Sequence, residues 1–274
     1  MILILGATGV VGRETVRLLT GRGLPVAAVT RNRQAVLPAG AFSVHPDEIP
    51  DLAEVRAVLL SPRAAGPAAA GVLTHARRAG ARRIVVLSSV TVPHPAGEPR
   101  FREQFQAAEE LAVGSGLDWT VLRCADFAAN TLAWAGQIRG GDIVRGAYAQ
   151  ARTSTVDERD IAAVAALALA GPDHAGRTYL LTGPQSLSQP DKVATLGAVL
   201  GRPLTFAEVT PDAIRGGMIA AGLPAEVPDR LLGSQADYAR AAGPAGDDVC
   251  RVLGRPARTY ATWAEDHRAA FAGS

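Results

Sequence analysis

Lysine is almost missing from this 274-residue sequence: Lys192 is the only one among 28 lysines and arginines, so an ammonium group can act at a single place. Cysteine is nearly as scarce. Cys124 and Cys250 lie far apart with nothing at ligand spacing beside them, which excludes a disulfide framework and offers no metal motif. No apolar run reaches the roughly 18 residues that span a bilayer, and the first residues read as a strand rather than a charged and then apolar leader. A soluble cytoplasmic protein without a membrane partner is the expectation. An excess of one charge is absent too, since 28 basic and 26 acidic residues leave +2. Arg77, Arg78, Arg82 and Arg83 gather at one helix–strand junction and read as solvated surface, so no nucleic-acid partner is expected.

What is present is ordinary folded-protein composition, 48% hydrophobic and 20% charged. The length sits near the upper limit for one core, which predicts a large domain with an appended lobe. Ile2-Leu3-Ile4-Leu5 is a continuous apolar run ended by glycine, the pattern of a strand buried on both faces. A helix follows over Val10–Leu19, then strands at Val26–Val29, Phe42–Val44 and Ala57–Leu60. A helix near 66–79 leads to a strand at Ile84–Leu87, and a helix over Arg102–Gly114 leads to one at Trp119–Leu122. Strands alternating with helices predict an α/β fold, a doubly wound parallel sheet of the Rossmann type over residues 1–185. Beyond Arg123 the alternation fades, although an apolar helix over Ile161–Leu169 and a late strand at Thr178–Leu181 stand out. Residues 186–274 read as a smaller, mainly helical lobe that packs on the sheet and shapes a substrate pocket. Residues 92–100, rich in proline, read as a loop at the rim of that pocket.

The strand at residues 2–5 runs into Gly6-Ala7-Thr8-Gly9-Val10-Val11-Gly12 and then into a helix. Three glycines at spacings of three allow a tight turn, let the backbone approach a diphosphate and aim the first helical N–H groups at its charge. Such a turn binds a dinucleotide. After the second strand, a carboxylate would favour NAD by holding the ribose 2′-OH; the sequence has Thr30-Arg31-Asn32-Arg33 instead. Arg31 can grip a 2′-phosphate with its planar fork, Arg33 can add a second contact, and the expected cofactor is NADPH/NADP+.

These segments, together with Leu60-Ser61-Pro62, Leu87-Ser88-Ser89, Leu117-Asp118-Trp119-Thr120-Val121-Leu122-Arg123, Val156-Asp157-Glu158-Arg159-Asp160 and Leu181-Thr182-Gly183-Pro184, resemble the NmrA-like branch of the atypical short-chain dehydrogenase/reductases. The likeness covers nearly the whole chain. It implies that Leu60, Ser61, Pro62 and Ser88 contact the cofactor and that Ser89 stands where the wider superfamily has its serine. It also places Phe101 and Phe105 where that superfamily carries its Tyr-x-x-x-Lys pair, which this sequence lacks: the residue four before Lys192 is Ser188.

Without that proton donor, an acceptor needing little protonation is expected: a quinone or an activated enone, reduced by hydride. Ser89 is the candidate catalytic residue. Thr91, Phe101, Phe105, Phe127, Asn130 and Trp134 are the candidate pocket residues, with Arg123 expected to face the nicotinamide end. His94 reads as an inert loop residue, and Asp157 and Asp160 as helix-capping acids. Two other functions remain open at this level, a non-catalytic redox-sensing NADP binder acting through a protein partner and a redox-neutral isomerase or cyclase. The sequence also leaves homo-oligomerisation open.

Overall fold

The computed structural model describes residues 1–51 and 53–272. In chain order the elements are β1 (Ile2–Leu5), α1 (Val10–Thr20), β2 (Val26–Val29), β3 (Ala41–Val44), β4 (Ala57–Leu60), α2 (Pro62–Ala65), α3 (Ala69–Arg78), β5 (Arg83–Ser89), α4 (Pro99–Val113) and β6 (Asp118–Cys124). They continue with α5 (Ala135–Gly140), β7 (Ile143–Gly146), α6 (Glu158–Ala170), β8 (Arg177–Leu181), α7 (Gln189–Leu200) and β9 (Thr205–Glu208). The chain closes with α8 (Pro211–Ala220), α9 (Glu226–Arg240), α10 (Asp248–Leu253), α11 (Tyr260–Asp266) and α12 (Arg268–Phe271).

Seven strands form one sheet in the order β3-β2-β1-β4-β5-β6-β8, every neighbouring pair parallel. The strand alternation explains the two layers of helices. Ile2 and Ile4 join α1 and α6 in one apolar cluster, while Leu3 and Leu5 join α3 and α4 in another. Because successive side chains of a strand point to opposite faces, an unbroken apolar run is what a sheet covered on both sides requires. Each fully buried leucine or isoleucine contributes about 1.5–3 kcal/mol relative to exposure.

The sheet order reverses direction at β1 and β4, and the crevice at their carboxyl ends is where ligands of such sheets bind. Two helices and two strands differ in their bounds from the sequence expectation. The helix expected near 66–79 starts at Pro62 instead, and is interrupted by a tighter turn at residues 66–68, where Gly66 has φ +51°. The helix expected from Arg102 begins at Pro99, since proline at the first helical position gives up no needed hydrogen bond. Strands β5 and β6 run on to Ser89 and Cys124, carrying polar residues to the crevice.

A two-stranded parallel sheet, β7 with β9, was not expected. It belongs to a third cluster in which Ile138 and Val144 pack with Leu196, Trp263 and Phe271. This cluster draws on both sides of residue 185, so residues 128–146 pack with the C-terminal segment. Meanwhile Val249 of α10 packs on the main sheet cluster.

Candidate cofactor and acceptor site

The glycine turn is built so that no side chain fits inside it. Gly6 has φ +80°, and a Cβ on Gly12 would lie 2.1 Å from the Gly6 carbonyl oxygen. Gly9 donates its N–H to that same oxygen at 3.0 Å. Helix α1 has no side-chain cap, which leaves its first N–H groups bare beside the crevice. A cradle of that shape, at the amino end of an eleven-residue helix, fits a diphosphate. Gly6, Gly9, Val10, Val11 and Gly12 all line one cavity of about 1060 Å³. Thr8 is exposed and Leu60 is fully buried in the sheet core, so neither lines it, while Ser61 and Pro62 do.

At the end of β2 the backbone is held by short polar turns. Thr30 Oγ1 accepts from the Asn32 N–H, and Asn32 Oδ1 accepts from the Gln34 N–H. Arg31 projects from this turn, exposed and without a protein partner among the described residues. Arg33 differs from the expectation of a free second contact, because it is paired with Glu48 at 2.7 Å.

The far end of the cavity is lined by Ser88, Ser89, Thr91, Phe101, Phe105, Phe127 and Asn130. Phe101 and Phe105, four residues apart, occupy one face of α4. Ser89 Oγ accepts from the Thr91 N–H at 3.2 Å and from the Thr91 hydroxyl at 2.9 Å. Its own hydrogen is therefore available to donate. Ser88 is the opposite case, its proton committed to Glu109. Arg123 holds that carboxylate with two hydrogen bonds, of 3.0 and 2.7 Å, and does not line the cavity as expected. Trp134 does not line it either and packs against the third cluster, where apolar burial outweighs a place at the wall. His94 is exposed, and Asp157 caps α6 by accepting from the Arg159 N–H, as read from the sequence.

Several residues of the cavity escaped the sequence reading. Asp126 follows β6, and its carboxylate accepts from Lys192 Nζ at 2.7 Å, from Asn130 Nδ2 at 2.7 Å and from the hydroxyls of Thr153 and Thr155. Burial alone would raise its pKa, but Lys192 and these hydrogen bonds outweigh burial and hold it below the ordinary value. The group stays ionised and fixes the Asn130 side chain. The signal in the sequence was the solitary lysine itself. Tyr238 of α9 also lines the cavity, its phenol pushed up to about 12 by burial. Cys124 lies at the cavity wall with its thiol pushed well up by burial, so it stays protonated. Among the described residues no group of His, Cys, Asp or Glu is placed to hold a metal ion, and no helix is long and apolar enough to cross a membrane.

A parallel sheet with this turn at its crevice, opening into a cavity with room for a second small molecule, defines a dinucleotide-binding Rossmann protein. The family model described as NAD(P)H-binding matches residues 6–172, and the chain belongs to that family. It is 35% identical, over 99% of both chains, to (4-alkanoyl-5-oxo-2,5-dihydrofuran-3-yl)methyl phosphate reductase of Streptomyces griseus. It is 32% identical, again over 99% of both, to NAD(P)H azoreductase of Xenophilus azovorans. The fold is shared with an NADPH-dependent quinone oxidoreductase of Escherichia coli complexed with NADPH: TM-score 0.82 at 22% identity, over 97% of this chain and 99% of that one. The family expected from the sequence is borne out at the level of the NAD(P)H-binding family, and the chain is an NAD(P)H-dependent oxidoreductase.

Proposed function

We propose that this protein is an NADPH-dependent reductase of planar, conjugated carbonyl acceptors, enones or quinones, with Ser89 as the group that polarises the acceptor oxygen. One observation carries the proposal. Ser89 takes two hydrogen bonds from Thr91 and keeps its proton to give, inside the same cavity as the glycine turn. When bound, the reduced nicotinamide supplies the hydride. The chain's own part is to bind, orient and exclude water. The uncapped amides of Val10, Val11 and Gly12 face the diphosphate, Arg31 offers a guanidinium to the 2′-phosphate, and Phe101, Phe105 and Phe127 wall a flat acceptor. Asn130, fixed by Asp126, orients a polar edge of the acceptor.

A hydroxyl is a weak acid, so it suits an acceptor whose reduced form is a stabilised enolate or hydroquinone anion. This matches the absence of a Tyr-x-x-x-Lys pair. The two named relatives are both reductases, which favours turnover over the sensor and the isomerase readings. The test is loss of NADPH absorbance with a panel of butenolides, enones, quinones and azo dyes. Turnover of at least one class is expected, with Ser89→Ala lowering kcat by about tenfold to a hundredfold. Cofactor binding without consumption on every acceptor would refute the reductase, and product formed at constant NADPH would point to an isomerase.

A further inference from the structure

The arginines around α9 are mostly neutralised. Arg100 reaches Glu98 and Asp229, Arg215 takes the other oxygen of Asp229, and Arg240 pairs with Asp237. Two guanidiniums depart from this pattern. Arg63, in the first turn of α2, and Arg230, on α9, line the same cavity. Among the described residues neither has a side-chain hydrogen bond, and neither has a carboxylate oxygen within 4 Å.

Burial pushes the Arg230 pKa down, and the positive charge of Arg63 pushes it further; Glu226, one turn earlier on α9, opposes both as the smallest influence. Arg63 is exposed and Arg230 half-buried, so solvent can take up their donors, and what no protein group offsets is the proximity of two like charges at the cavity wall. The arrangement is stabilised by a ligand that brings negative charge and several acceptor oxygens, which is what a phosphoryl group has. Helix α2 also abuts the phosphate turn, since a Cβ on Gly6 would lie 3.1 Å from Ala64 Cβ. Arg63 therefore stands beside the cofactor cradle, while Arg230, on α9, lines the same cavity.

We infer that Arg63 and Arg230 form a second anion subsite in the cavity, built for a phosphoryl group on a small-molecule ligand. The inference rests on the reading of this cavity as a reductase site. The phosphoryl group has two sources, a phosphate ester on the acceptor or the diphosphate of the cofactor, and the chemistry of the subsite is the same for both.

The experiment compares wild type with Arg63→Gln, Arg230→Gln, Arg230→Lys and the double glutamine variant. It measures NADPH Kd by fluorescence titration, and kcat/KM for an acyl-butenolide methyl phosphate against the same butenolide with a free hydroxymethyl group. Losing a charged hydrogen-bond partner is worth about tenfold or more in affinity. If the acceptor supplies the phosphoryl group, the phosphate-to-alcohol ratio of kcat/KM falls at least tenfold in each glutamine variant while NADPH Kd stays within twofold. If the cofactor supplies it, NADPH Kd rises at least tenfold and the ratio is unchanged. Either result supports the subsite, with Arg230→Lys retaining part of the effect. A third arm needs no turnover: if the acceptor supplies the group, phenyl phosphate added over saturating NADPH raises the melting temperature of wild type and not of the double variant, and if the cofactor supplies it, phenyl phosphate has no effect while NADPH Kd, measured in the same samples, rises in the variants. Should no acceptor be reduced at all, the reductase reading fails while this arm still judges the subsite. Equal NADPH Kd, equal ratios and equal protection by phenyl phosphate in wild type and variants would overturn it.

Discussion

Two residues near the cavity illustrate how single side chains set cofactor choice and stability. Arg31 is exposed at the end of β2 with no partner among the described residues, whereas Arg33 is held by Glu48. On the proposed reading, selectivity for the 2′-phosphate therefore falls on Arg31 alone. Arg31→Asp is expected to weaken NADPH by about a hundredfold, since a bidentate contact is lost and a repulsive charge gained, while NADH weakens far less. Equal losses for the two cofactors in parallel titrations would reassign that residue. The second case is Lys192, whose side chain is 3% exposed and donates to Asp126. Lys192→Met leaves the carboxylate unbalanced, at a cost of about 3 kcal/mol, and adding Asp126→Asn should restore most of it. An unmoved urea midpoint in the single variant would contradict this. The acid limb has a definite sign. The Asp126 pKa is held below its ordinary 3.8 in the fold, so its contribution is complete above that value and drains away as the pH falls below it. The solitary lysine marks itself in the sequence, but its pairing with Asp126, 66 positions away, is legible only in the fold.

At the scale of elements, the sheet was legible and the covering helix was not. Strands β1, β2 and β4 are four-residue runs buried on both faces, and such runs announce themselves. Strands β7 and β9 are also four residues long, but half of each is exposed and they pair across about sixty positions, so no pattern marks them. Helix α9 falls in the segment read only as mainly helical, and only its docking shows it at the cavity wall. That docking depends on Gly97, which has φ +73° and whose N–H donates to Asp237 Oδ2 at 2.8 Å. A Cβ there would lie 3.0 Å from the Ser234 amide nitrogen on α9. Gly97→Val combines a strained backbone with a collision, worth about 1–3 kcal/mol, and is expected to raise the acceptor KM roughly fivefold to a hundredfold. Faster limited proteolysis within residues 211–240 should accompany it. A KM equal to that of wild type would mean that α9 does not cover the acceptor.

Across the whole molecule, the C-terminal segment is clamped to the sheet domain by buried charge as well as by apolar packing. Of the two acids read from the sequence as caps, Asp157 caps α6 and also receives Arg258, whereas Asp160 caps nothing and instead accepts from Arg255 and from the Arg258 N–H. Arg258 Nε meets Asp157 Oδ2 at 2.5 Å, and the Asp157 side chain is 1% exposed. Beside them Glu158 accepts from the Trp263 indole, with burial holding its pKa above the ordinary carboxylate value. Arg258→Ala strands a buried carboxylate, and the expected cost is about 3–5 kcal/mol. At roughly 2–4 °C per kcal/mol for a chain of this size, the melting temperature should drop by about 6–20 °C, and a drop under 2 °C would show the clamp to be dispensable. In the sequence the acids stand about a hundred positions from Arg255 and Arg258, and only the fold brings them together.

The sequestered ammonium of Lys192 also turns the chain into its own gauge of opening. An amine-reactive dye has no accessible lysine to find while the fold is closed. The rate at which Lys192 acquires the label thus counts excursions that part α7 from the segment after β6, and any ligand that seals the crevice should slow that clock.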